Sequence, residues 1–184
     1  MIATIVGTNR PGSNSRRIGD ELGRIYSRLG AETSLLDLAE LRVEIFLPIA
    51  YAQKPPAFEP FARRVLEASG LAIIAAEYNG SFPGVLKVFI DHLPFPQSFE
   101  QKPVCFIGLS GGVWGGLRAV EHLQGIFGHR NAHVFPERVF IPRSGSAFNE
   151  QGLLQDPKTW HAWSSKLRAF LISWLESHIE LEVL

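Results

Sequence analysis

The hydrophobic residues of the chain fall into two alternating patterns. Mostly apolar runs, which predict buried β-strands, lie at residues 2–6, 33–38, 71–76, 104–109 and 134–141. Between them apolar residues recur every three or four positions, which predicts amphipathic helices at residues 18–29, 58–66, 85–93, 117–127 and 160–174. Alternation of this kind is typical of an α/β protein with a parallel sheet covered by helices on both faces.

Three loops rich in glycine and polar residues follow the first, third and fourth predicted strands. They span residues 7–15, 77–81 and 110–116. Parallel strands end at the same edge of a sheet, and doubly wound sheets bind ligands outside that edge, where the strand order reverses. We therefore expect the three loops to form one site.

The first loop has the composition of a phosphate-binding loop at a helix start. Gly7 and Gly12 have the spacing of a nucleoside-triphosphate loop, but that motif needs a lysine where Ser13 stands. The dinucleotide fingerprint needs a glycine where Asn9 stands. A terminal monophosphate remains, with the alternative that these residues are only helix caps and turn formers. The candidate donors are Thr8, Arg10, Ser13, Asn14 and Ser15.

Composition limits the class of protein. With 184 residues, 46% hydrophobic and 20% charged, the chain suits a single domain over residues 1–184. The net charge of zero gives no sign of a nucleic-acid partner. Cys105 is the single cysteine, in an apolar run, which indicates a reduced, buried thiol. Because no apolar run reaches the length of a membrane span and no signal segment is evident, we expect a cytoplasmic protein.

Three motifs together resemble those of the NADPH-dependent FMN reductase family. They are GTNRPGSNS at residues 7–15, EYNGSFPGVLK at residues 77–87 with Asp91, and SGG at residues 110–112 with GGLR at residues 115–118. The likeness extends to the loop at residues 149–152. Ala76 stands where the family often has proline, and Thr8 where it usually has serine. Both residues keep the required chemistry.

The resemblance implies a fold, a cofactor and an activity. The fold is a flavodoxin-like three-layer sandwich with a five-stranded parallel sheet in the order 2-1-3-4-5. The cofactor is FMN, with NADPH or NADH as co-substrate, and the electron acceptor is a quinone, an azo compound, a metal oxyanion or free flavin. The family also implies a homodimer or homotetramer in which a neighbour helps to cover the flavin.

Site residues follow from the same resemblance. The FMN phosphate is assigned to Thr8, Arg10, Ser13, Asn14 and Ser15. The isoalloxazine and ribityl groups are assigned to Glu77, Tyr78, Asn79 and Gly80 on one side and to Ser110, Gly111 and Gly112 on the other. Hydride transfer runs through the flavin, so no side chain is expected to act as a catalytic acid or base.

Two other classes of function remain open. A flavodoxin-type electron carrier would bind FMN without oxidising NADPH itself, but such carriers are usually acidic and this chain is neutral. A flavin-free binding protein would keep the fold and lose the cofactor.

Other side chains are expected to have structural roles. His129 and His133 are spaced for a metal pair, but Arg130-Asn131-Ala132 between them lacks helix character and an acidic partner, so we expect surface histidines and no metal. Lys87 and Asp91 are spaced to pair on a helix. The tryptophans of the last helix are expected in the core.

Overall fold

The fold is built on one parallel sheet. The computed structural model describes residues 1–149, 154–155 and 163–173. The strands are β1 (Ile2–Val6), β2 (Thr33–Asp37), β3 (Gly70–Ala76), β4 (Pro103–Leu109), β5 (His133–Val134) and β6 (Val139–Ile141). They run in the order β2-β1-β3-β4-β5, with β6 also on β4, and every pairing is parallel. The predicted order 2-1-3-4-5 is confirmed.

Helices cover both faces of the sheet. They are α1 (Asn14–Arg28), α2 (Glu59–Glu67), α3 (Gly84–His92) and α4 (Leu117–His129), with α5 for the helical residues 163–173. One core cluster joins the sheet to α2, α3 and α4, and a second joins its other face to α1 and α5. Alternate residues of β1 serve opposite clusters, as the pleat of a strand requires: Ile5 packs in the first and Val6 in the second. The three-layer sandwich is confirmed.

The fifth strand differs from the prediction. The prediction of a single strand over residues 134–141 is wrong, because β5 pairs only with the start of β4 and β6 pairs only with its end. Pro136 lies between the two pieces and has no N–H to donate to a ladder. The sheet therefore has six strand segments in five positions.

Smaller elements also refine the prediction. Helix α2 ends at Glu67, one residue beyond the predicted segment 58–66, and β3 begins at Gly70, one residue before the predicted run 71–76. Between β2 and α2, where the sequence predicts no strand or helix, the chain forms a series of short 3₁₀ turns.

The last helix packs as predicted where the structure describes it. Trp163, Leu167 and Phe170 are buried against the sheet. Trp160 and Trp174, also predicted on this face, lie outside the described residues. Within residues 1–149, 154–155 and 163–173, no helix has the length and apolar character needed to cross a bilayer.

Candidate functional site

A cleft lies at the carboxyl ends of β1, β3 and β4. Its volume is about 520 Å³, within the range of small-molecule sites. The three predicted loops all contribute to its wall, as the topology of a parallel sheet requires. Eight of the twelve predicted site residues line it, namely Arg10, Ser13, Asn14, Ser15, Glu77, Tyr78, Ser110 and Gly111. Four do not contribute to the wall, namely Thr8, Asn79, Gly80 and Gly112.

A fourth loop completes the cleft and was missed by the sequence reasoning. Ser144 and Gly145 line the wall, and they follow β6, whose carboxyl end lies at the same edge as those of β3 and β4. Asn14 Nδ2 donates to the Ser144 carbonyl at 2.8 Å, and the Ser144 N–H donates to the Ser110 carbonyl at 2.9 Å. The sequence position of this loop could have indicated it, because it is a short polar loop directly after the last strand of the sheet.

The start of α1 faces the cleft as an anion-binding element. Gly12, with φ +64°, turns the chain, and Ser13 caps the helix by accepting from the Arg16 N–H at 3.2 Å. The cap alternative is thus correct for the Ser13 oxygen, although its hydroxyl hydrogen remains available for donation. Asn14 and Ser15 begin the helix, where backbone N–H groups have no intrahelical acceptor and the helix dipole favours negative charge.

Two side chains in the cleft wall keep a buried oxygen without a partner. Ser15 is 1% exposed, and its hydroxyl makes no hydrogen bond. The Glu77 side chain is 15% exposed; its Oε2 has no partner, and its Oε1 lies 3.9 Å from Arg118 Nη1. A buried polar atom without a partner is costly. Both oxygens therefore fit a site completed by a polar ligand.

Thr8 connects two of the loops. Its side chain is fully buried, and Oγ1 lies 2.9 Å from the Tyr78 hydroxyl. Oγ1 also accepts from the Arg10 N–H at 3.3 Å. The Thr8 hydroxyl thus fixes Tyr78 on the loop after β3 and the backbone of the loop after β1.

A tight turn follows Tyr78. The Tyr78 N–H donates to the Ser81 carbonyl at 2.8 Å, and the Ser81 N–H donates back to the Tyr78 carbonyl at 3.1 Å. Asn79 and Gly80 both have positive φ, at 52° and 80°, which defines a type I′ turn. The chain therefore turns sharply after Tyr78, and both central residues of the turn take part.

The glycine pair after β4 allows a close backbone approach. Gly115 and Gly116 have φ of 61° and 89°. A Cβ on Gly116 would collide with the Leu109 backbone nitrogen, and one on Gly115 would lie 2.8 Å from that of Ile141. Only glycine lets this loop return against β4 and β6.

The remaining candidates behave as structural residues. His129 ends α4 and His133 begins β5, so they share no helix, and both are exposed. Within the described part of the chain, no group of three or more His, Cys, Asp or Glu side chains could hold a metal. Lys87 Nζ contacts both Asp91 oxygens, at 2.7 and 2.8 Å. Burial raises the pKa of the Cys105 thiol to about 12, which keeps it protonated and unreactive.

Fold and site together define a class of protein. The strand order reverses between β1 and β3, and the start of α1 lies at the cleft beside that point. This arrangement is typical of a mononucleotide-binding α/β domain of the flavodoxin-like type.

Comparison with known proteins narrows the class. The sequence profile of the NADPH-dependent FMN reductase family matches residues 1–145. An NAD(P)H-dependent FMN reductase of Pseudomonas aeruginosa is 32% identical over 170 residues, which cover 90% of this chain and 90% of that protein. A quinone reductase of Escherichia coli is 30% identical over 146 residues, 77% of this chain and 76% of that protein.

One solved structure extends the likeness to the fold. The flavoenzyme NAD(P)H:(acceptor) oxidoreductase FerB from Paracoccus denitrificans superposes with a TM-score of 0.80 at 27% identity, covering 96% of this chain and 97% of that one. The chain belongs to the NADPH-dependent FMN reductase family. It is an oxidoreductase of the class that uses FMN together with NAD(P)H.

Proposed function

We propose that this enzyme reduces a small-molecule acceptor, which is a quinone, an azo compound, a metal oxyanion or free flavin. FMN held in the 520 Å³ cleft would supply the redox chemistry that links oxidation of NADPH or NADH to reduction of the acceptor. The observation that carries the proposal is the unpaired, buried Ser15 hydroxyl beside the N-terminus of α1. A phosphate there gives that hydroxyl an acceptor and meets the positive end of the helix dipole.

The first loop holds the phosphate in this proposal. Ser15 and Ser13 donate through their hydroxyls, the Asn14 and Ser15 N–H groups donate from the backbone, and Arg10 adds a charged donor from the cleft wall. Thr8 has a different role from the one first expected. Because its hydroxyl is buried and bonded to Tyr78, we assign it to positioning the loops.

The remaining cofactor residues surround the flavin from two sides. Glu77 and Tyr78 line the cleft on the β3 side, and Ser110 and Gly111 line it on the β4 side. Asn79, Gly80 and Gly112 support these walls through the turn after Tyr78 and the bonds from the fourth loop. The Ser110 hydroxyl donates to the Gly112 carbonyl at 3.2 Å, which holds the β4 loop in shape. These residues bind and orient, and none need act as an acid or base.

Assembly as a homodimer or homotetramer is part of the proposal. Large apolar side chains are exposed in two segments of the chain. They are Val43, Phe46, Leu47, Ile49 and Tyr51 in the 3₁₀ segment, and Val113 and Trp114 after β4. A neighbouring copy would cover such surfaces.

We further propose that residues 1–184 form one domain. We also propose that the enzyme is cytoplasmic, where a free thiol such as Cys105 stays reduced.

The test is a flavin titration followed by anaerobic reduction. We expect the protein to bind added FMN and the bound flavin to lose its visible absorbance when NADPH is added without oxygen. A bound flavin that stays yellow would favour the electron carrier, and no binding would reject the site. Arg10→Ala should weaken FMN binding, whereas Arg63→Ala, an exposed arginine on α2, is the matched control and should not.

A further inference from the structure

Glu77 is the one acidic residue among the described residues that line the proposed flavin cleft. Its backbone N–H already donates to the Leu109 carbonyl at 2.9 Å, just beyond the ladder between β3 and β4. The side chain is therefore the part of Glu77 that can contact a ligand. Its carboxylate is 15% exposed, and the buried Oε2 has no hydrogen-bond partner.

Arg118 faces this carboxylate from α4. Its Nη1 lies 3.9 Å from Glu77 Oε1, and in the part of the chain that the structure describes it is the one cation within 4.0 Å of that carboxylate. A distance of this size allows electrostatic attraction but is too long for a hydrogen bond. The Arg118 side chain is also 65% exposed, and water weakens such a pair. The negative charge of Glu77 is therefore only partly compensated.

Contacts between α4 and the loop after β3 fix the position of Arg118. A Cβ on Gly80 would lie 3.9 Å from Arg118 Cδ, so the arginine side chain runs along the type I′ turn that starts at Tyr78. His122, four residues further along α4, has its Nδ1 2.9 Å from the Ser81 hydroxyl. Residues four apart lie on the same face of a helix. This face of α4 therefore holds the charge of Arg118 beside the β3 wall of the cleft.

Reduction changes the charge of FMN. At neutral pH two electrons and one proton enter the ring system, which therefore gains one negative charge that oxidised FMN lacks. Charges beside the ring decide how tightly a protein binds each form, and the ratio of the two affinities sets the redox potential of the bound cofactor. A carboxylate in the wall of the cleft disfavours the reduced form, and a cation beside that carboxylate offsets the effect.

We propose that Glu77 and Arg118 form an opposed pair of charges that sets the redox potential of bound FMN. The Glu77 carboxylate, with its unpaired Oε2 in the cleft wall, lowers that potential. Arg118 is a positioning residue, which holds the carboxylate and offsets part of its charge. The inference rests on the proposed function, since it concerns FMN in the same cleft.

The test measures the midpoint potential of FMN bound to the full chain, by equilibration with a reference dye during slow anaerobic reduction. It needs no acceptor and no turnover, so its readout is independent of activity. Glu77→Gln keeps the size of the side chain and removes its charge, and should raise the potential. Arg118→Gln leaves the carboxylate uncompensated and should lower it. Each variant should change the ratio of affinities for reduced and oxidised FMN by about tenfold, which is about 30 mV for a two-electron couple.

A second arginine–glutamate pair provides the matched control. Arg63 Nη1 lies 3.8 Å from Glu59 Oε1 on the exposed surface of α2, and neither residue lines the cleft. Arg63→Gln changes the net charge by the same amount as Arg118→Gln, and should leave the potential unchanged. Arg118→Lys keeps the positive charge and should restore most of the native potential. The double variant Glu77→Gln/Arg118→Gln should lie between the two single variants, because it lacks both charges.

Failure of this inference differs from failure of the proposed function. A native protein that binds no FMN would reject the proposed function, and the inference with it. If FMN binds and the potential is equal in the native protein, Glu77→Gln and Arg118→Gln, or shifts in the same direction in both variants, the opposed pair alone is refuted. A loss of affinity that is equal for oxidised and reduced FMN would also refute it, because the two side chains would then only hold the cofactor in place.

Discussion

Replacement of Ser15 by alanine should change stability and ligand affinity in opposite directions. In the ligand-free protein the Ser15 hydroxyl is buried and has no hydrogen-bond partner. A buried polar group without a partner costs roughly 1–3 kcal/mol, and alanine also has the better helix propensity. The removed oxygen leaves only a small void. Ser15→Ala should therefore raise the free energy of unfolding of the apoprotein by about 1 kcal/mol.

The same substitution removes the donor that we propose for the FMN phosphate. A hydrogen bond to a charged group contributes about 1.5–3 kcal/mol, and each 1.4 kcal/mol is a factor of ten in affinity. FMN affinity should therefore fall by about 10- to 100-fold. Urea unfolding of the apoprotein gives the first quantity, and quenching of FMN fluorescence on binding gives the second.

Ser13, two residues earlier in the same loop, provides the matched control for the stability measurement. Its Oγ caps α1 by accepting from Arg16 N–H, so Ser13→Ala should lower the free energy of unfolding by about 1 kcal/mol. The reasoning would be refuted if Ser15→Ala destabilised the apoprotein as much as Ser13→Ala and left FMN affinity unchanged. Such a result would mean that the Ser15 hydroxyl is satisfied within the protein and does not contact the ligand.

Two further predictions concern the contact between the loops and the buried thiol. Tyr78→Phe removes the partner of the buried Thr8 hydroxyl, and should lower the free energy of unfolding by about 1 kcal/mol; additive losses in a double-mutant cycle with Thr8→Val would contradict the direct contact. Burial raises the Cys105 pKa from 9.0 to about 12, so the folded protein retains a proton that the unfolded chain loses above pH 9, and stability should fall between about pH 9 and 12. In Cys105→Ala the free energy of unfolding should fall less over this pH range, because the titrating thiol is absent. The same fall with pH in both proteins would refute the prediction.

The sequence predicted the central sheet because its inner strands are buried on both faces. β3 and β4 are almost wholly buried, and such strands appear as unbroken apolar runs that no other pattern obscures. The fifth position was predicted less well. A strand of two residues such as His133–Val134 is too short to show periodicity. Whether Pro136 interrupts the strand depends on how the chain pairs with β4, which the sequence alone does not show.

The site was predicted as a set of loops more fully than as a set of contacts. Loops after β1, β3 and β4 could be located because their strands were clear, whereas Ser144 follows the short β6 and gave a weak signal. The role of Thr8 could not be predicted from a local pattern, since its hydroxyl bonds to Tyr78, 70 positions away in sequence. Likewise, Ser13 and Ser15 are the same residue type in the sequence. Only the folded structure shows that the Ser13 oxygen caps α1 while the Ser15 hydroxyl is buried without a partner.

The interrupted fifth strand affects how the molecule meets its neighbours. Beyond β4 the sheet ends in two short pieces, and the segment between them is held by α5: Phe135 packs edge-on against Phe170 at 5.6 Å, and Lys166 Nζ donates to the Arg138 carbonyl at 2.9 Å. An incoming strand needs a continuous row of free N–H and C=O groups, which this edge does not offer. The break thus protects the sheet from extension by another chain at this edge, and directs association towards helix and loop surfaces.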